Sequence, residues 1–214
     1  MQSISVLVSG PAGSGKSAVA AHLAMTSEFP YVKFLTANTM VAYGEMQKAN
    51  IMRKAFDDAF KSKLSVIVLD DIERLVEFSS LGGRYSNTLL QTLTVLIKRP
   101  PPEGKKLIVI GTTTNRDVMD ALELTNVFSA EMELPLVQPE SLPAVVESLG
   151  IKWESEADIA PSIEALRPTA MKKLIFLIEM ASLSPDGNDH GHRVINNARL
   201  VDAVLNTGVV STTR

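Results

Sequence analysis

The sequence predicts an α/β fold: a parallel five-stranded sheet flanked by helices, followed by a small all-helical unit. Three observations carry this. Short β-branched runs alternate with helical patterns through the first two thirds of the chain, the order that yields a parallel sheet with helices on both sides. The runs at residues 66–69 and 107–110 are continuously apolar, as strands covered on both faces are. Beyond residue 137 strand patterns give way to helical ones, which places an α/β unit at 1–136 and a helical unit at 137–214.

In chain order the expected strands cover residues 4–8, 31–35, 66–69, 107–110 and 132–136, with helices at 16–25, 45–61, 85–98 and 116–122 between them. Pro100, Pro101 and Pro102 stop the third helix, because prolines neither donate backbone hydrogen bonds nor continue a helix. Pro135 and Pro139 bracket the end of the last strand. Four helices follow, at 140–149, 154–166, 169–183 and 194–205, with a polar loop at 184–193. That loop holds His190 and His192 beside Asp186 and Asp189, a weak metal-binding arrangement because it lacks rigid geometry. Trp153 and the nine methionines read as packing residues.

Composition narrows the class. At 214 residues, 45% hydrophobic and 21% charged, the chain has the make-up of a folded globular protein. A net charge of −3 argues against a nucleic-acid partner, which asks for a strongly basic face. With no cysteine, disulfides, thiolate metal sites and a thiol nucleophile are excluded. No apolar run reaches the ~18 residues of a membrane span. The opening residues lack a basic leader region and run at once into a strand, so the expectation is a soluble, intracellular segment of a longer protein.

Gly10-Pro11-Ala12-Gly13-Ser14-Gly15-Lys16-Ser17 matches G-x-x-x-x-G-K-[ST], the phosphate-cradling P-loop pattern. Its glycines turn the backbone so that successive N–H groups point at phosphate oxygens, and the helix at 16–25, with Ala18 in its first turn, adds its positive end. Lys16 reaches the β- and γ-phosphates and the Ser17 hydroxyl binds Mg²⁺. A second pattern, Val66-Ile67-Val68-Leu69-Asp70-Asp71, is a buried strand ending in two carboxylates. Asp70 would hold Mg²⁺ opposite Ser17, and Asp71 stands where a carboxylate polarises attacking water. Helix capping by the Asp pair is the plainer alternative.

With these motifs in place, the order of elements resembles the AAA ATPases, in which a helical lid follows the α/β domain. More closely, the chain is similar to the second AAA domain of the N-ethylmaleimide-sensitive, vesicle-fusing ATPases. The residues that carry the likeness are SGPAGSGKS, SEFPYVKF, AFDDAFKSKLSVIVLDDIERLVEF, GGRYSNTLLQTL, PPPEGKKLIVIGTTTNRDV and MKKLIFLIEM. The resemblance implies ATP with Mg²⁺, a hexameric homo-oligomer with nucleotide between subunits, and a full-length machine that disassembles SNARE complexes with an adaptor protein. It also implies a cytoplasmic protein peripherally associated with vesicle and organelle membranes, with no membrane insertion and no nucleic acid. Two departures stand out. The lead-in that lines the family's adenine pocket precedes the first strand and lies upstream of this sequence, and the family's reactive cysteine falls in another domain.

Further roles follow from the same likeness. Lys172, opening the lid helix, matches the residue that reaches the γ-phosphate within a subunit; a solvated lysine pair, Lys172 and Lys173, is the alternative. Lys98 and the pair Lys105-Lys106 would approach the next subunit's nucleotide, or form a basic surface turn. Thr113, Thr114 and Asn115 end the fourth strand near the phosphates, with Thr114 favoured. Tyr43 fits a pore-loop aromatic loosely and a core or surface role better. Arg84 faces a ring interface or a local acid.

Hydrolysis is expected to be slow. The second acid is Asp71 where active AAA domains carry Glu, which withdraws the carboxylate by about 1.5 Å, and misplacements near 1 Å cost on the order of 100-fold. Leu124 and Val127 stand where active members carry arginine fingers, each worth roughly 10³–10⁵ in rate. Bound ATP would then hold the ring together. The rival reading is a fully active AAA motor.

Overall fold

The computed structural model describes residues 3–183 and 193–207. The polar segment containing His190 and His192 lies outside the described residues. Two compact units divide the chain, one running to Leu134 and the other starting at Pro135.

The first unit is a five-stranded, wholly parallel sheet. Its strands are β1 (Ser3–Ser9), β2 (Tyr31–Thr36), β3 (Leu64–Asp70), β4 (Lys106–Thr113) and β5 (Ala130–Glu133), in the spatial order β2-β3-β4-β1-β5. Alternate residues of one strand serve opposite cores, the period-2 geometry of a strand. Val66 and Val68 pack with Val8, Ile110 and the alanines Ala20 and Ala24 of α1 (Lys16–Thr26). Ile67 and Leu69 face the other way, into a larger cluster with Leu7, Val109, Met52 and Phe56 of α2 (Glu45–Ala59) and Leu89 and Leu93 of α4 (Asn87–Lys98). Between β3 and α4 lies a single turn of helix, α3 (Ile72–Leu75), and α5 (Arg116–Ala121) follows β4.

Because β4 lies beside β1, the chain leaves β1 for the far edge and returns through β3. The C-terminal ends of β1, β3 and β4 therefore open onto one rim, next to the point where strand order reverses. Open α/β sheets bind ligands at such rims.

Boundaries differ from expectation where backbone chemistry overrides apolar pattern. β5 covers Ala130–Glu133 rather than 132–136. All four of its residues are exposed, so no apolar run marks it, and Pro135 cannot donate to extend the pairing. The helix expected at 45–61 stops at Ala59 in a turn closed by Lys61 N–H to Asp58 O. The one expected at 85–98 begins at Asn87, because the Ser86 side chain accepts the Leu89 N–H and caps it.

The second unit is helical: α6 (Leu142–Ser148), α7 (Ile159–Ala165), α8 (Met171–Ser182) and α9 (Asn197–Asn206) gather around Leu142, Leu174, Leu177, Ile178 and Leu200. It adds one feature absent from the sequence expectation, a two-residue parallel pair between β6 (Lys152–Trp153) and β7 (Val194–Ile195). The helix expected at 194–205 starts later because Asn196 accepts the Arg199 N–H at 2.9 Å and fixes the N-terminus there. No helix among the described residues is long and apolar enough to cross a membrane.

Candidate functional site

The turn after β1 carries Gly10, Gly13 and Gly15 at positive φ (149°, 77° and 100°). Gly10 is obligatory on a second count: a Cβ there would overlap the carbonyl oxygen of Leu134 and come within 3.2 Å of Ser14 Oγ. Helix α1 starts directly from Gly15, whose carbonyl accepts the Val19 N–H. Lys16 is 5% exposed and folds back over the turn, its Nζ donating to Gly10 O and Pro11 O at 2.9 Å each. Burial pulls its ammonium below the usual lysine range, while Asp71, Glu73 and Asp70 pull it back up. The loop lysine and the acids at the end of β3 thus share one electrostatic site.

Asp70 ends β3, and Asp71 follows in the left-handed region at φ 51°. Burial raises the Asp71 carboxyl above the ordinary carboxylate range, helped by Asp70 and Glu73 and opposed by Arg74 and Lys16. Two residues not singled out from sequence tie this corner together. Thr112 Oγ1 lies 2.9 Å from both Asp70 Oδ1 and the Asp71 nitrogen. Glu73 Oε1 accepts the Thr114 N–H at 2.8 Å, and its Oε2 is buried without a hydrogen-bond partner. Neither contact is visible in a sequence, because both depend on how β3 registers with β4.

Of the three polar residues expected near the phosphates, two are occupied. The Thr113 hydroxyl bonds the backbone of Asn115, and the Asn115 side chain caps α5 through Val118 N–H. Thr114 is exposed at the rim. Ser17 and Ala18 are exposed on the first turn of α1.

Lys98, Lys105 and Lys106 are not gathered there. Lys98 closes α4, Lys105 Nζ donates to Lys61 O at 2.6 Å, and Lys106 opens β4. Lys106 and Thr113 stand at opposite ends of the eight-residue β4, about 23 Å apart at the usual strand rise. Lys172 is exposed in the first turn of α8, within the second unit. Tyr43 is 46% exposed at the lip of a cavity of about 500 Å³ beside β2, and Arg84 is exposed in the turn before α4. Leu124 and Val127 are 0% and 8% exposed and belong to the main core.

A charge-paired brace holds the edge strand beside the loop. Arg116 donates from Nε to Glu131 Oε1 at 2.5 Å and from Nη2 to Oε2 at 2.9 Å, and Ser9 Oγ, one residue before Gly10, donates to the same carboxylate. These bonds hold the Glu131 carboxyl below its usual range. A depressed acid contributes stability above its unfolded pKa and loses it as pH falls through the folded one. Glu131→Gln is therefore expected to cost under about 1 kcal/mol at neutral pH, as exposed pairs do, and nothing in strong acid. Paired thermal melts across the acid range measure this.

The residues suit a magnesium nucleotide. Ser14 Oγ is buried in the turn with no hydrogen-bond partner. No three acidic or histidine side chains among the described residues gather to hold a metal by themselves. Mg²⁺ is commonly bound by one or two protein groups together with substrate phosphates, and Ser17 and Asp70 fit that division.

A glycine-rich turn between a buried strand and a helix, facing an acid-tipped strand, defines a P-loop nucleotide-binding unit. More narrowly, the chain belongs to the AAA family of ATPases, since residues 6–136 match the family described as "ATPase family associated with various cellular activities (AAA)". It is similar to the vesicle-fusing ATPase of Arabidopsis thaliana, at 44% identity over 184 residues, 86% of this chain and 24% of that protein. Similarity extends to the vesicle-fusing ATPase of Dictyostelium discoideum, 39% identical over 83% of this chain and 24% of that one. The vesicular-fusion protein sec18 of Schizosaccharomyces pombe is 44% identical over 68% of this chain and 19% of its own length. The chain thus spans about a quarter or less of the relatives it matches.

Proposed function

We propose that this chain is the second AAA module of a vesicle-fusing ATPase, that it binds Mg-ATP at the rim of its sheet, and that it serves mainly to hold a hexameric ring together. In this reading Gly10, Pro11, Ala12, Gly13, Ser14 and Gly15 wrap the phosphates with backbone N–H groups. Lys16 exchanges its two carbonyl contacts for the β- and γ-phosphates, and Ala18 lies in the helix turn whose dipole faces them. Ser17 and Asp70 hold Mg²⁺, which when bound neutralises charge between the β- and γ-phosphates. Asp71 and Thr114 face the attacking water and the γ-phosphate. Lys98 or Lys106 would come from a neighbouring copy, and Lys172 keeps the γ-phosphate role that the family resemblance implies. Through the full-length protein the module would act with an adaptor on SNARE complexes, at the cytoplasmic surface of vesicles and organelles.

The observation that carries the assembly reading is the burial of Leu124 and Val127. Where an active AAA ring would present arginines to the next nucleotide, this chain has invested both positions in its core. Asp71 adds to the deficit, since a short carboxylate follows Asp70. A ligand that binds only the assembled state adds about 2.7 kcal/mol at 100 times its dissociation constant, so slow turnover suits a structural nucleotide. The test pairs ATP turnover with molecular mass in solution. The expected result is a mass that rises to six chains with ATP and a turnover far below 1 s⁻¹. A rate of about 1 s⁻¹ or more, ordinary for an enzyme, would favour the motor reading.

A further inference from the structure

We propose that Thr112 is a positioning residue for the acidic pair, a hydroxyl clamp that sets Asp70 for the metal and holds Asp71 beside it. The proposal rests on the Mg-nucleotide reading of the site and assigns a role to a residue that touches neither phosphate nor metal. Thr112 is 0% exposed, in a strand whose other buried positions are Leu107, Val109, Ile110, Gly111 and Thr113. A valine of nearly the same shape would fill that space, so packing alone does not account for the hydroxyl.

The hydrogen-bond directions are forced. The Asp71 nitrogen has only a proton to offer, so at 2.9 Å Thr112 Oγ1 accepts from it. The hydroxyl's own proton then goes to the other neighbour, Asp70 Oδ1, at 2.9 Å. One buried group thereby satisfies a backbone donor and fixes the orientation of a carboxylate. The backbone bond secures Asp71 in the left-handed region (φ 51°, ψ 69°), a conformation disfavoured by roughly 1–2 kcal/mol for residues with a Cβ. That turn starts α3, where Asp71 O accepts the Arg74 and Leu75 N–H groups. The side-chain bond takes one lone pair of Asp70, and a carboxylate retains further acceptor sites for metal-bound water. Glu73, accepting Thr114 N–H, closes the same β3–β4 gap from the other side. The strand end bearing the acids is stapled to its neighbour at two points, and Thr112 is the one that touches both acids.

Thr112→Val removes the clamp with little change of volume, and Thr112→Ser keeps it. The primary readout is ATP affinity with Mg²⁺ divided by affinity in chelator, measured on the full-length protein. Loss of a group that orients a metal ligand costs 10–100-fold. Thr112→Val is therefore expected to lower that ratio at least tenfold, leaving chelator affinity unchanged, while Thr112→Ser retains the wild-type ratio. Amide exchange at Asp71, read without nucleotide, is expected to accelerate in the Val variant alone. Thr112→Ala gives the same split if the Val variant misfolds. An unchanged ratio in Val, or an equal loss with and without Mg²⁺, would overturn the positioning role while leaving the site reading intact. A wild-type protein that takes up no nucleotide overturns both, and is distinguished because it fails before any substitution is made.

Discussion

Leu124→Arg is expected to unfold the α/β unit instead of activating it. The substitution restores an arginine where the family resemblance places a catalytic finger, so a surface reading of the position predicts faster hydrolysis. The fold predicts otherwise. Leu124 is fully buried, its N–H bonded to Met119 O, among Met119, Leu122, Val127 and Phe128. An arginine never loses its charge in a protein, and no carboxylate in that cluster offers a partner. Burying an unpaired charge costs several kcal/mol. At 2–4 °C per kcal/mol for a chain of this size, the melting temperature should fall by roughly 10 °C or more, or the transition should vanish. Val127→Arg should do the same, less severely, from its slightly more exposed site. A variant that melts like wild type and hydrolyses ATP faster would show that this segment is remodelled into a finger on assembly.

Lys16→Ala should abolish ATP binding while leaving the fold in place. The ammonium folds over the glycine turn, and its two bonds are to carbonyls of the turn itself. Removing it withdraws the charge that would meet the β- and γ-phosphates, an effect on the order of 100-fold or more for a desolvated ion pair. The stability loss should be small, about 1 kcal/mol per hydrogen bond removed. Calorimetric titration with ATP checks the first expectation and thermal denaturation the second. If the ring depends on bound nucleotide, the same variant should fail to assemble at ATP concentrations that saturate wild type.

How far these conclusions could be read from sequence depends on the kind of interaction. Strands β3 and β4 declare themselves because each carries a continuous apolar run, at 66–69 and 107–110, covered on both faces. Strand β5 is legible only with its bounds shifted, since its four residues are exposed and its ties to β1 run through the backbone and the Glu131 side chain. The glycine turn was legible because its chemistry is local: the glycines, Lys16 and Ser17 are consecutive and act as one unit. Asp70 and Asp71 were legible as the tip of a buried strand. Thr112 was not, because its meaning lies in a partner 42 residues away in β3, and only register brings them together. Leu124 and Val127 show a third case. Their identity signalled missing arginines, but their depth in the core, which decides what a restored arginine would do, came from packing.

The assembly reading and the Thr112 clamp both require the turn at Gly10–Ser17 to bind a magnesium nucleotide. The most direct test is a calorimetric titration of the full-length protein, with any other P-loop it carries inactivated so that only this site responds. One ATP bound per chain, with affinity strengthened by Mg²⁺ and lost in Lys16→Ala, is the predicted result. A folded protein that gives no binding heat at any temperature, and no displacement of a fluorescent ATP analogue, would contradict it.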